Sequence, residues 1–244
     1  MPLPREHDVE FFVYVVESPS HEDFFLGRSE GQLVGRAAEL NGVPHAIRSV
    51  TSEEMLRRAL ITGLYAEMLK QPDRWAILHL SAHGHEGGIG LTDGTFLTWD
   101  SLRDYLKPIN TALGGRLLLC MSSCSGGSAM RMSMYPGDEE FPYAFMVGNG
   151  GTPRWSETAI AYATFYHHLA AGRPIDAAVN AMKVASGNDE FVWTSAKEAH
   201  DGYVEFLKNE EQKRGAMAAL ANLVQEQGDA KPEDVKQTVA SRGA

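Results

Sequence analysis

An α/β fold with a mostly parallel sheet of about six strands and helices on both faces is what this sequence predicts, and three observations carry it. Short apolar runs rich in β-branched and aromatic residues recur along the chain, the pattern of strands buried on both faces. Amphipathic segments at helical spacing alternate with them. Two of the runs leave into loops of Gly, Ser, His and Cys, where an open parallel sheet places its ligand crevice. At 244 residues the chain can bury a sizeable core without disulfides or metals.

Residues 9–16 (VEFFVYVV), bounded by Ser18-Pro19-Ser20, predict the first core strand. Residues 29–40 predict a helix stopped by Asn41-Gly42, and 44–50 a second short strand. Ser52 opens a helix in which Leu56, Leu60, Leu64 and Met68 recur at i+4 with Ala59 on the same face, and Pro72 closes it. Residues 75–81 (WAILHLS) predict a buried strand that exits into Ala82-His83-Gly84-His85-Glu86-Gly87-Gly88. Residues 89–97, broken at Asp93-Gly94, predict an inserted β-hairpin. Thr98 or Asp100 caps a helix through Leu106, Gly114-Gly115 turns the chain, and 116–121 (RLLLCM) form the next core strand. That strand exits into Ser122-Ser123-Cys124-Ser125-Gly126-Gly127. Residues 143–147 predict a further strand ending in Gly148-Asn149-Gly150-Gly151, followed by helices over about 156–171 and, with Pro174 opening it, 175–186. Composition makes 203–227 helical and the polar end from Gly228 frayed. The expected division is an α/β domain over 1–205 and a helical extension over 206–244.

Charge and cysteine usage narrow the function classes. With Lys plus Arg 22 and Asp plus Glu 32, the net charge of −10 argues against nucleic acid and against an anionic membrane surface as partners. Cys120 and Cys124 alone do not make a secreted disulfide framework, and residues 1–8 carry Pro2, Pro4, Glu6 and Asp8 where a secretory leader is basic. The expected location is the cytoplasm.

The chemistry centres on two exits. His83 and Cys124 leave strands that would share one carboxyl edge. A thiolate is the nucleophilic form of cysteine, and an imidazole beside it can stabilise that form and return the proton to a leaving amine. Backbone amides at Gly84 and Cys124 could hold the oxyanion of acyl transfer. A helix starting after Cys124 would add its positive end. Cys120, inside an apolar run, reads as core, and so does His79. His83-Gly84-His85 is also an H-x-H, so a zinc hydrolase with His79, Glu86 or Asp93 nearby is the rival reading. Gly148-Asn149-Gly150-Gly151 lacks the Lys-Ser/Thr of a phosphate loop.

Ala82-His83-Gly84 after one strand and Ser122-Ser123-Cys124-Ser125-Gly126 after the next resemble the His-Gly and Cys motifs of caspase-like (clan CD) cysteine peptidases, most closely the CHAT family. Trp155, the Ser156-Glu157-Thr158-Ala159 helix start, Phe165-Tyr166 and Gly172-Arg173-Pro174-Ile175-Asp176-Ala177-Ala178 are similar too, so the likeness spans roughly residues 9–187. The resemblance implies a caspase-like three-layer sandwich and a cysteine endopeptidase with Cys124 as nucleophile, His83 as base, no required third member and no cofactor. It also implies a protein substrate and a role in bacterial cell death or antiphage defence, with a separate activator or sensor protein as partner. Many such peptidases carry Asp or Gln two residues before the cysteine; here that position is Ser122. A catalytically silent scaffold is the reading from another class. Glu17, Glu22 and Asp23 near the first exit, and Asp138, Glu139 and Glu140 in the later loop, make an acidic pocket for a basic side chain one expectation. A solvated acidic surface is the other. Ser122 and Glu157 complete the expected substrate-binding set.

Overall fold

The computed structural model describes residues 9–228; the expectations for 1–8 and for the end past Gly228 fall outside them. Its strands are β1 (Phe11–Ser18), β2 (His45–Ser49), β3 (Trp75–His85), β4 (Gly88–Gly90), β5 (Phe96–Thr98), β6 (Leu118–Ser122), β7 (Phe145–Asn149) and β8 (Phe191–Ser195). The central order is β2-β1-β3-β6-β7-β8, parallel from β2 to β7, with β8 antiparallel at the end. β4 and β5 form the expected hairpin, joined to β3 through the pair His83↔Gly90.

Side chains alternate across a strand, so each core strand feeds two hydrophobic layers. Phe12, Tyr14 and Val16 of β1, Leu78 and Leu80 of β3, and Met121 of β6 pack under α3 (Glu53–Arg58), α4 (Leu64–Lys70) and α5 (Trp99–Ala112). Val13, Val15, Ile77, Cys120 and Val147 face the other way, against α2 (Glu30–Leu40), α6 (Trp155–Ala170) and α7 (Ile175–Ser186). The result is the expected three-layer sandwich.

Departures from the sequence expectation trace to packing and pairing. α5 runs through Pro108 to Ala112, beyond Leu106, and Leu106 and Asn110 are buried on its inner face. β8 is an antiparallel strand of five residues whose identity comes from pairing with β7 rather than from its own pattern. A short helix α1 (His21–Phe25) follows β1, and a 3-10 helix, Gly126–Ser133, follows Cys124. Between α3 and α4 the chain takes a π-helical turn, Ala59–Gly63, whose Ala59 carbonyl also accepts from the buried Tyr14 hydroxyl at 2.9 Å.

The chain divides into two compact units after His200. In the second, described as part of α8 (Ala196–Gly228), Tyr203 and Phe206 stack with ring centroids 6.4 Å apart and Lys213 pairs with Glu210 at 2.8 Å. Among the described residues no helix is long and apolar enough to cross a membrane.

Tyr14→Phe removes one buried hydrogen bond and keeps the packing, so urea unfolding should show a loss of about 1 kcal/mol. No change would mean that the hydroxyl does not secure the π turn.

Candidate active site

The site is laid out by the register of two parallel strands. β3 and β6 pair as Ile77↔Leu118, His79↔Cys120 and Ser81↔Ser122, all on the face covered by α2 and α6. Along both strands that face passes from apolar to polar toward the carboxyl end. β1 does the same through Val13, Val15 and Glu17, the last paired with Ser81. The strand order reverses between β1 and β3, which is where an α/β sheet opens its crevice. There a cleft of about 220 Å³ is lined by Glu17, Ser81, His83, Ser122, Cys124 and Trp155, among others. His83 and Cys124 each stand two residues past the last rung of the ladder.

Close backbone packing fixes the cysteine. A Cβ on Gly84 would overlap the Cys124 carbonyl oxygen and lie 2.8 Å from its amide nitrogen, so only glycine lets the two exits touch. Ser125 has φ 51°, the only left-handed non-glycine residue among those described. Its amide donates to the Gly151 carbonyl at 2.7 Å, tying the Cys124 turn to the exit of β7. Gly148 allows the same intimacy one strand further, because a side chain there would meet the backbone of Gly126 and Gly127. Cys124 is half-buried, whereas Cys120 is fully enclosed and burial pushes its thiol up to about 12. Among the described residues the Cys124 amide has no hydrogen-bond acceptor; Gly84 pairs with Ile89 in the β3–β4 ladder.

Two buried carboxylates floor the cleft. Glu17 accepts from the amides of Glu30 and Gly31 at 2.6 and 3.2 Å and from the Ser29 hydroxyl at 2.6 Å, so it sits on the positive end of α2. Glu30 accepts from Ser122 at 2.6 Å and Ser81 at 2.7 Å, with His79 Nε2 3.7 Å away. His79 Nδ1 shares a 2.9 Å hydrogen bond with the Tyr166 hydroxyl. Burial alone would raise the Glu30 carboxyl, but His79 and the two serine hydroxyls outweigh it and hold the acid below its ordinary value.

The other expected substrate residues divide. Asp23 lines the cleft with Arg28, its ion-pair partner at 3.5 Å. Ser122 lines it too but spends its hydroxyl on Glu30. Glu22 lies in the exposed first turn of α1 and does not line it. Asp138 also stands apart: Arg103 and Lys107 of α5 hold it in ion pairs that pin the loop after the 3-10 helix. Glu157 is taken up in capping α6, bonded to Arg154 at 2.8 Å and to Asn188 at 3.0 Å. His85 accepts from the Gly87 amide at 3.2 Å and packs edge-on against Phe96, and no group of three or more metal-ligating side chains gathers among the described residues. The zinc reading therefore lacks its ligand set. Glu30 escaped sequence reasoning because an acid in a first helical turn is ordinarily solvated. The available signal was the pair of serines ending two apolar strands.

No protein-family model matches the sequence, and no curated protein matches it. Solved structures do. The crystal structure of caspase-1 from Spodoptera frugiperda is similar with a TM-score of 0.50 and 13% sequence identity, covering 80% of this chain and 89% of that one. This chain has the caspase-like fold. The Arg-specific cysteine proteinase gingipain R aligns with a TM-score of 0.45 and 8% identity over 75% of this chain and 43% of its own.

Two outcomes follow from this geometry. Gly84→Ala should cost at least about 1–3 kcal/mol in thermal or urea unfolding and slow alkylation of Cys124, since strain at so close a backbone approach cannot relax locally. A wild-type alkylation rate would mean that the contact does not place the thiol. Glu30, held below its ordinary value, contributes stability that is present above about pH 4.5 and lost as pH falls through the lower folded value. Glu30→Gln should therefore show a shallower fall of Tm on acidification than wild type; parallel curves would contradict the assignment.

Proposed function

We propose that this chain is a cysteine endopeptidase working through a Cys124/His83 dyad. The observation that carries the proposal is the shared departure of the two residues from one rung of the β3–β6 ladder into one cleft, with the Cys124 backbone seated on Gly84. The Cys124 thiolate attacks the scissile carbonyl carbon, and the carbonyl oxygen takes the negative charge. The Cys124 amide, with that of Gly84, donates to that oxygen in this reading, which the lack of another acceptor for the Cys124 N–H among the described residues supports. Protonated His83 gives its proton to the leaving amine, leaving a thioester. Water then adds to the thioester as His83 takes its proton, and the collapse frees the acid product and Cys124. No step needs a cofactor.

Two carboxylates, Glu17 and Asp23, face the cleft against one guanidinium, Arg28, while Glu30 beneath them spends its oxygens on Ser81 and Ser122. That balance favours a basic side chain before the scissile bond through charge-assisted hydrogen bonds. The motif resemblance supports membership of the CHAT family, a protein substrate, a separate activator or sensor protein, and a role in bacterial cell death or antiphage defence. The low cysteine content supports a reducing, cytoplasmic setting.

A peptide-library cleavage assay tests the proposal. Wild type should cleave preferentially after Arg or Lys, Cys124→Ala should be silent, and His83→Ala should lose about 10²–10⁴-fold in rate. Equal cleavage by wild type and Cys124→Ala would overturn the dyad. Asp23→Asn should weaken the preference for a basic residue without silencing the enzyme, and an unchanged preference would remove Asp23 from the pocket.

A further inference from the structure

We infer that Glu30 is a positioning residue for the dyad, its carboxylate tying together the last rung of β3 and β6 from which His83 and Cys124 both depart. The inference rests on the peptidase reading of those two residues. Glu30 is 3% exposed and is the first residue of α2, so its place is set by the helix and not by the strands it serves. One carboxylate oxygen accepts from Ser122, 92 positions away, and the other from Ser81, 51 positions away. These serines are the paired residues that end the ladder. A third strand enters through Glu17, which accepts the Glu30 amide at 2.6 Å and so fixes the start of α2 against the exit of β1. Beneath the rung, His79 turns an otherwise unbonded Nε2 toward the same carboxylate at 3.7 Å.

Such an arrangement is costly as a means of holding a core together. A buried carboxylate must be fully hydrogen-bonded to be tolerated, and apolar side chains of similar volume often stabilise a protein as well or better. Its particular property is directional. Two hydroxyls on adjacent strands can both reach one carboxylate only in a narrow range of strand offsets. Each catalytic side chain lies two residues beyond such a hydroxyl, and a misplacement of about 1 Å between reacting groups can cost on the order of 10²-fold in rate. The clamp therefore acts on the relative placement of thiol and imidazole without touching substrate. Glu30 also lines the cleft, so reading the charge of a substrate is the competing role.

Steady-state cleavage of an Arg-containing peptide, iodoacetamide alkylation of Cys124 against pH and circular dichroism on the full chain separate these roles. Wild type, Cys124→Ala, Glu30→Gln and Ser122→Ala are compared. Cys120, enclosed in the core, is the internal control for alkylation. Glu30→Gln and Ser122→Ala should each lower kcat about 10- to 100-fold with KM changed by no more than about twofold, and should shift the alkylation profile of Cys124 while the fold is retained. Unchanged kcat and an unchanged alkylation profile in folded Glu30→Gln would overturn the inference. So would a rise in KM for Arg peptides alone, which would make Glu30 a reader of substrate charge. Should Glu30→Gln not fold, Ser122→Ala, which keeps the carboxylate and removes one donor, decides by the same criteria. Cleavage surviving in Cys124→Ala would sink the peptidase reading, a result distinct from either of these.

Discussion

β3 and β6 pair in parallel without a bulge from Ile77↔Leu118 to Ser81↔Ser122, and the carboxyl edge of the sheet is arranged from that register. A slip of one residue would send Ser81 and Ser122 to opposite faces, because side chains alternate with period two. His83 and Cys124, two residues past those serines, would then no longer leave toward one cleft, and Glu30 would lose one of its donors. The register is held by burial on both faces, by the Gly84 contact with Cys124, and by the Ser125 amide bonded to Gly151 on the neighbouring exit. The last two restraints are backbone against backbone, the kind that transmits little slack.

The second constraint is electrostatic. A chain of net charge −10 places two carboxylates under its crevice at no more than 3% exposure each. Burying them is tolerable because each is satisfied by the protein itself: Glu17 by the positive end of α2 and the Ser29 hydroxyl, Glu30 by two serine hydroxyls with His79 below. The same carboxylates leave the cleft with an excess of negative charge that Arg28 only partly offsets. In the proposed peptidase, Glu30 places the dyad, and Glu17 and Asp23 set the preference for substrate charge.

Much of this was legible in the residue order. The apolar runs VEFFVYVV, WAILHLS and RLLLCM gave the three central strands, since double-sided burial leaves a continuous apolar signature. The Gly, Ser, His and Cys exits located the edge, and Asp93-Gly94 located the hairpin. What was not legible depended on partners distant in sequence. β8 owes its existence to β7, the continuation of α5 past Pro108 to packing by Asn110, and the burial of Glu30 to serines 51 and 92 positions on. Asp138 and Glu157 looked available because their local sequence is acidic and polar. Arg103 with Lys107, and Arg154 with Asn188, had already engaged them.

The proposed peptidase has one reactive thiol, Cys124, activated by the His83 imidazole from the neighbouring strand. A peptidyl acyloxymethyl ketone ending in Arg, followed by mass mapping of the labelled chain, tests this in a single readout. The account predicts one adduct, on Cys124, slowed by about 10²-fold or more in His83→Ala and absent from Cys120 while the protein is folded. Labelling of Cys124 at the same rate with and without His83, or labelling only after unfolding, would contradict it.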